Sequence, residues 1–117
     1  MPAKPQRIVL KLSGEALLGS EPGDNFSVES LQHLVEEISS VKKLGIEMAL
    51  IFGGGNIVRG SAYSKISGTS RVQGDYMGML ATVINAMAMQ GALQASGIET
   101  RLHTAVEMDQ LAQLYIR

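Results

Sequence analysis

The chain has 117 residues, with 10 Lys and Arg against 11 Asp and Glu, giving a formal net charge of −1. This balance provides no long-range attraction to nucleic acid or anionic membrane, and the length suits one domain with one core. Cysteine is absent, which excludes disulfides and thiolate metal sites and fits a reducing compartment.

The opening "MPAKPQR" lacks the apolar core of a signal peptide. "RIVLKL", Arg7 to Leu12, has the pattern of a buried strand, and "SGEALLG" follows it, opening on Ser13-Gly14. Gly19 to Asn25 is polar and turn-rich. Ser27 is a helix cap with Glu29 in the first turn. Leu31, Leu34, Val35, Ile38, Val41 and Leu44 then recur at helical spacing, with Gly45 as the stop. "IEMALIF", Ile46 to Phe52, is a second strand, and strand–helix–strand with short connections predicts a parallel, right-handed βαβ unit.

Past Gly53-Gly54-Gly55, "NIVRG" is expected to begin a short helix, and Ser61 to Gln73 to form a polar loop. Asp75 to Ala95 predicts a long helix, apolar nearly all round and holding four of the 7 methionines, hence covered on more than one side. Asp75 itself reads most simply as its N-cap. The apolar stretch Met77 to Met89 is shorter than the ~20 residues of a membrane span and contains Gly78 and Asn85. "GIETRLHT" reads as a third strand and "EMDQLAQLYIR" as a last helix. A soluble cytoplasmic protein is the expectation.

In an open parallel sheet, ligands sit beyond the carboxyl ends of the strands. Ser13-Gly14 and Gly53-Gly54-Gly55 lie at such ends. Bare backbone N–H groups there can bind phosphate oxygens. Lys11, within an apolar strand, either snorkels from an edge or points its ammonium at an anion. Arg59 is a second cation or a surface residue. The methionine stripe is most simply core, and His33 and His103 have no assigned role. Dinucleotide and P-loop patterns both fail, since Val58 stands where the first needs glycine and Ser61 where the second needs lysine. No cluster has metal-ligand spacing.

"KLSGEAL" (Lys11 to Leu17), "GGGNIVRG" (Gly53 to Gly60) and "GDYMGMLATVINAMAM" (Gly74 to Met89) together resemble the bacterial uridylate kinases of the amino-acid kinase fold. The first two motifs occur in looser form in glutamate, acetylglutamate, aspartate and carbamate kinases. The third is closer to uridylate kinase. The resemblance implies a three-layer αβα, mostly parallel α/β fold with helices on both faces. It implies transfer of the γ-phosphoryl of ATP to UMP, with Mg²⁺, giving UDP and ADP in pyrimidine nucleotide biosynthesis. By resemblance, Lys11, Leu12, Ser13 and Gly14 contact ATP phosphates, with Lys11 catalytic. Gly55 and Arg59 likewise serve ATP. Gly54 and Asp75 bind UMP, with Arg71 in the same stretch.

The family also implies a homohexamer, with the Asp75–Ala95 helix as a subunit contact, a GTP activator acting near Gly19 to Asp24, and a UTP inhibitor. Family members run to roughly twice this length. Residues 1–117 therefore correspond to the UMP- and phosphate-binding amino-terminal half, expected to be inactive without the ATP-binding half, which would also hold Mg²⁺ together with the phosphates. Two alternatives stay open: a non-catalytic nucleotide-binding or oligomerisation module, and a small-carboxylate kinase of the same fold.

Overall fold

The computed structural model describes residues 6–19, 26–57, 70–108 and 113–116. Strand β1 (Arg7–Leu12) leads into a short 3₁₀ turn (Gly14–Leu17), and helix α1 (Val28–Lys42) returns the chain to strand β2 (Glu47–Phe52). Helix α2 (Arg71–Ala95) follows, then two short strands, β3 (His103–Thr104) and β4 (Gln113–Leu114). β1 and β2 pair in parallel from Arg7↔Glu47 to Leu12↔Phe52, which is the expected βαβ pairing.

Local chemistry sets these boundaries. The Ser27 hydroxyl accepts the amide of Ser30 at 3.1 Å and caps α1. Gly45, at φ +80°, turns the chain out of the helix in the left-handed region that glycine occupies at no steric cost. Between them, Leu31, Leu34, Val35 and Ile38 face inward. Leu44, beyond the helix end, is exposed.

The core joins Leu17, Val35, Ile38, Phe52, Met89 and Leu93, with Leu12, Met48 and Leu50 packed against it. Met48, Leu50 and Phe52 alternate along β2, so one face of the sheet receives both helices. The opposite face carries Val9, Lys11, Ala49 and Ile51, all exposed among the described residues. β1 is therefore covered on one side rather than buried as its apolar sequence predicts.

Helix α2 begins four residues earlier than expected. The Ser70 hydroxyl accepts the amide of Gln73 at 3.2 Å and is the N-cap, so Asp75 is not. The polar first turn, Arg71 to Gly74, carries no apolar period that would announce a helix. Gly74, Ala81, Asn85, Met89 and Leu93 are buried along one stripe, whereas Val72, Tyr76, Leu80, Ile84 and Met87 stand exposed on another.

The carboxyl-terminal expectation is also corrected. Among the described residues, only His103–Thr104 of the expected third strand pairs as a strand, and Gln113–Leu114 of the expected last helix pairs with it in parallel, while residues 109–112 and 117 of that helix lie outside the described residues. The Tyr115 amide donates to the Thr104 carbonyl at 2.9 Å, and its ring meets that of His103 edge-on. Strand pairing is a tertiary contact, and here it overrides the local helical pattern. Gly55 to Ile57 is a turn, closed by the Ile57 amide on the Gly54 carbonyl at 3.0 Å. The rest of the short helix expected there, with Arg59, lies outside the described residues, as does the proposed GTP region apart from Gly19.

The Gly45 turn is directly testable. Nothing lies within 4 Å of a Cβ built there, so Gly45→Ala should cost only the left-handed strain, about 1–2 kcal/mol, measured by urea unfolding. Gly45→Asn should recover part of the loss.

Candidate functional site

The two glycine turns meet at the carboxyl ends of β1 and β2. The β-ladder runs one rung beyond the strands, with the Gly53 amide donating to the Leu12 carbonyl at 3.0 Å. This rung sets Gly53 beside Gly14. A Cβ on Gly14 would lie 2.6 Å from Asn56 Oδ1 and 2.9 Å from the Gly55 nitrogen. The two turns are thus in contact, and Gly14 is glycine because the second turn fills the space a side chain would take.

Gly54 has a different neighbour. A Cβ there would lie 2.7 Å from the Ala81 Cβ and 2.8 Å from the Gly78 carbonyl oxygen. The glycine run is therefore pressed against α2, where small residues at 78 and 81 allow the approach. Gly53 is looser, its nearest neighbour being the Gly14 nitrogen at 3.4 Å. Close approach was legible in "GGG", but at Gly54 the body that approaches is a helix. Neither the Gly54 nor the Gly55 amide donates a hydrogen bond to a described residue.

One interaction at this junction was missed by sequence reasoning. Asn85, fully buried in α2, donates from Nδ2 to the Gly53 carbonyl at 2.7 Å and to Asn56 Oδ1 at 2.6 Å. Asn56 returns the bond, its Nδ2 donating to Asn85 Oδ1 at 3.0 Å. The available signal was an asparagine inside an otherwise apolar helix, since a buried amide requires partners.

Asp75 lies on the same side of α2. Positions 75, 78, 82 and 85 follow one another at spacings of three and four, so they form one stripe. Gly78 and Thr82 meet Gly54, and Asp75 sits about 4.5 Å further along the axis. Its carboxylate is exposed and takes the Arg71 Nε at 2.9 Å, a surface ion pair one turn away. Such a pair contributes about 0–1 kcal/mol, so Asp75 is not required for the fold.

Lys11 projects from the open face of β1, exposed and without a hydrogen-bond or ion-pair partner among the described residues. Ser13 accepts the Glu15 amide at 3.2 Å and caps the 3₁₀ turn. That bond uses its oxygen as acceptor and leaves its hydroxyl proton to donate. A cleft of about 400 Å³ opens elsewhere, between β2, both helices and residues 98–103. It includes none of Lys11, Gly14, Gly54 or Asp75, so this cavity and the glycine junction are separate places. Ser13, Gly14 and Gly53 to Gly55 thus lie at the carboxyl ends of β1 and β2, Lys11 stands on the open sheet face just before them, Asp75 lies on α2 one turn from Gly78, and Arg59 lies outside the described residues.

The sequence profile described as the amino acid kinase family matches residues 6–115. The chain belongs to the amino acid kinase family. Among solved structures it is similar to a UMP kinase from Bacillus anthracis, with a TM-score of 0.87 and 37% identity over 97% of this chain and 46% of that one. A UMP kinase from Ureaplasma parvum matches at a TM-score of 0.84 and 32% identity over 97% of this chain and 47% of its own. A carbamate kinase from Giardia lamblia, bound to AMP-PNP, shares the fold at a TM-score of 0.51 and 19% identity, over 84% of this chain and 34% of that one. The chain spans about half the length of the solved UMP kinases it matches. The α/β kinase fold expected from the motifs is the family's fold, and the described residues supply one helical layer on a parallel pair of strands.

The Gly54 contact yields a double-mutant test. Gly54→Ala should destabilise the chain by about 1–3 kcal/mol through overpacking. In an Ala81→Gly background the penalty should shrink but persist, because the Gly78 carbonyl remains 2.8 Å from the new methyl. Urea unfolding of the four proteins measures the coupling, and additive penalties would contradict the contact.

Proposed function

We propose that this chain forms the UMP-binding and phosphate-handling part of a nucleoside monophosphate kinase that moves the γ-phosphoryl group of ATP to UMP. The carrying observation is the convergence of Asp75 and the Gly54 contact on one stripe of α2. It is supported by the likeness to two solved UMP kinases at 37% and 32% identity. Asp75, exposed and dispensable for folding, is suited to accept hydrogen bonds from ribose hydroxyls. The Gly54 amide is suited to a UMP phosphate oxygen. Lys11, Leu12, Ser13 and Gly14, with Gly55 and Arg59, are proposed on the ATP side.

The chemistry asks little of these groups beyond charge and position. A phosphate monoester has a second pKa of ~6, so UMP is mostly dianionic at neutral pH and needs no general base. A UMP phosphate oxygen forms a bond to the γ-phosphorus as the bond to the β–γ bridging oxygen breaks, and ADP leaves with that electron pair. Lys11 supplies positive charge to the group in flight, and the Ser13 hydroxyl supplies a donor. ATP brings Mg²⁺ on its phosphates. Among the described residues no three acidic or histidine side chains form a cation cage, and no step is assigned to the ion.

The exposed stripe of Val72, Tyr76, Leu80, Ile84 and Met87 on α2 is proposed as a contact between copies of the chain. Contiguous apolar surface of this kind marks interaction sites. No described helix is long and apolar enough to cross a membrane, and a cytoplasmic location belongs to the proposal.

In a UMP titration by calorimetry, Asp75→Asn should weaken binding about 10–100-fold, the equivalent of a lost charge-assisted hydrogen bond of roughly 1.5–3 kcal/mol. Its melting temperature should hold, because the Arg71 pair is exposed. A coupled ADP-release assay on the 117-residue chain should show no turnover. Unchanged UMP affinity in the variant would remove Asp75 from the site. Separately, sedimentation at micromolar concentration should show at least a dimer, and Leu80→Glu with Ile84→Glu should return a monomer with an unchanged melting profile.

A further inference from the structure

We propose that Asn85 is a positioning residue that sets the glycine turn against α2 and so fixes the distance between the Gly54 amide and the Asp75 carboxylate. The ligand part of this inference rests on the reading of the site as a UMP site. The positioning itself rests on geometry.

Asn85 is the largest polar side chain wholly enclosed among the described residues, and its side-chain bonds go to two residues of one turn. Its amide group holds the Gly53 carbonyl and both polar atoms of the Asn56 side chain. Asn56 in turn lies against Gly14 of the other turn, its Oδ1 occupying the space where a Gly14 side chain would begin. The pair therefore bonds the middle of α2 to the turn after β2 and packs against the turn after β1. The other described backbone bonds of the turn, from the Gly53 amide to the Leu12 carbonyl and from the Ile57 amide to the Gly54 carbonyl, do not reach α2. The contacts of Gly54 with Gly78, Ala81 and Thr82 are close but steric, and they permit sliding of the helix along the turn. Buried hydrogen bonds do not, because each has a narrow range of length and angle. An apolar residue at 85 would fill the space and leave the Gly53 carbonyl and the Asn56 amide without these partners. Helix propensity disfavours asparagine relative to leucine there, so the fold accepts a local cost to obtain the bond set.

The consequence is a division of labour along one stripe of α2. Asn85 fixes the turn at one end, Gly78 and Ala81 admit it in the middle, and Asp75 stands beyond it at the other end. A shift of the turn would change the reach between the Gly54 amide and Asp75 without altering either residue.

The experiment uses the 117-residue chain with Asn85→Ala, Asn85→Asp, Asn56→Ala and a control, Leu93→Ala, which removes core packing away from the turn. Three quantities are read: melting temperature, UMP affinity well below melting, and amide exchange at Gly53, bonded to the Leu12 carbonyl, and at Ile57, bonded to the Gly54 carbonyl. Exchange at Met89 reports the helix. Asn85→Asp keeps the size and one acceptor for Asn56 but loses the donor to the Gly53 carbonyl, and it serves if the alanine variant does not fold.

In the folded Asn85 variants, UMP affinity should fall at least tenfold and exchange at Gly53 and Ile57 should quicken at least tenfold, with Met89 unchanged. Asn56→Ala should lie between them and the parent. Leu93→Ala should lower the melting temperature alone. Asn85 variants that melt earlier yet keep parental exchange at Gly53 and Ile57 would overturn the proposal and leave Asn85 as a stability residue. Faster exchange with UMP affinity within twofold of the parent would overturn its ligand part. If the parent binds no UMP, the functional reading fails, and the exchange data alone still decide whether Asn85 positions the turn.

Discussion

The junction of the glycine turns with α2 is built around a reciprocal pair of amides. Asn85 and Asn56 exchange hydrogen bonds in a buried position, and Asn85 adds a third bond to the Gly53 carbonyl. A polar pair in such a place has two outcomes. Fully satisfied, it specifies one arrangement of the segments it joins, and half satisfied, it costs more than an apolar contact would. Both turns and the helix must come to the pair in register, or the desolvated amides are left short of partners. Gly14 follows from this demand, because Asn56 Oδ1 stands where its side chain would begin, while Gly54 follows from the approach of α2.

Much of this was readable from residue types, and the unreadable part has a common cause. Ser27 and Gly45 mark the ends of α1 because cap and stop are local chemistry, and the β1–α1–β2 unit follows from period and connection length. The start of α2 was misplaced by four residues because Arg71 to Gly74 form a helical turn with no apolar residue to spare for the core except Gly74. The pairing of β3 with β4 is non-local and involves two residues on each strand, so no window of sequence contains it. The glycine run announced close approach correctly. It could not announce what approaches, and at Gly54 the answer is α2. Asn85 was visible only as an interruption in an apolar helix. A sequence shows that a buried amide needs partners without naming them.

The distribution of apolar surface carries a related message. Val9 and Ile51 stand on the open face of the sheet, beside Lys11, and a second apolar stripe runs along α2 on the side away from the core. Among the described residues the core lies between two helices and one sheet face, and these two surfaces lie outside it with strand and helix periodicity of their own. The solved UMP kinases to which the chain is similar extend to about twice its length. The open sheet face, which also displays Lys11, is where additional layers of such a fold have room to pack.

The parallel pairing of β1 and β2 has a consequence for how the glycine junction holds together. The Arg7–Glu47 ion pair joins residues 40 positions apart, and every rung of the ladder closes a loop of that size. Closing such a loop costs about 3 kcal/mol in chain entropy beyond a constant term. The cost falls once, on whichever rung forms first, and the remaining rungs then form at little further expense. The ladder is accordingly an all-or-none object. Its last rung is the bond from Gly53 to the Leu12 carbonyl, which belongs to the turn as much as to the sheet. The glycine turn therefore shares the fate of a strand pairing that begins some six residues away, and its integrity is a cooperative property of the whole βαβ unit.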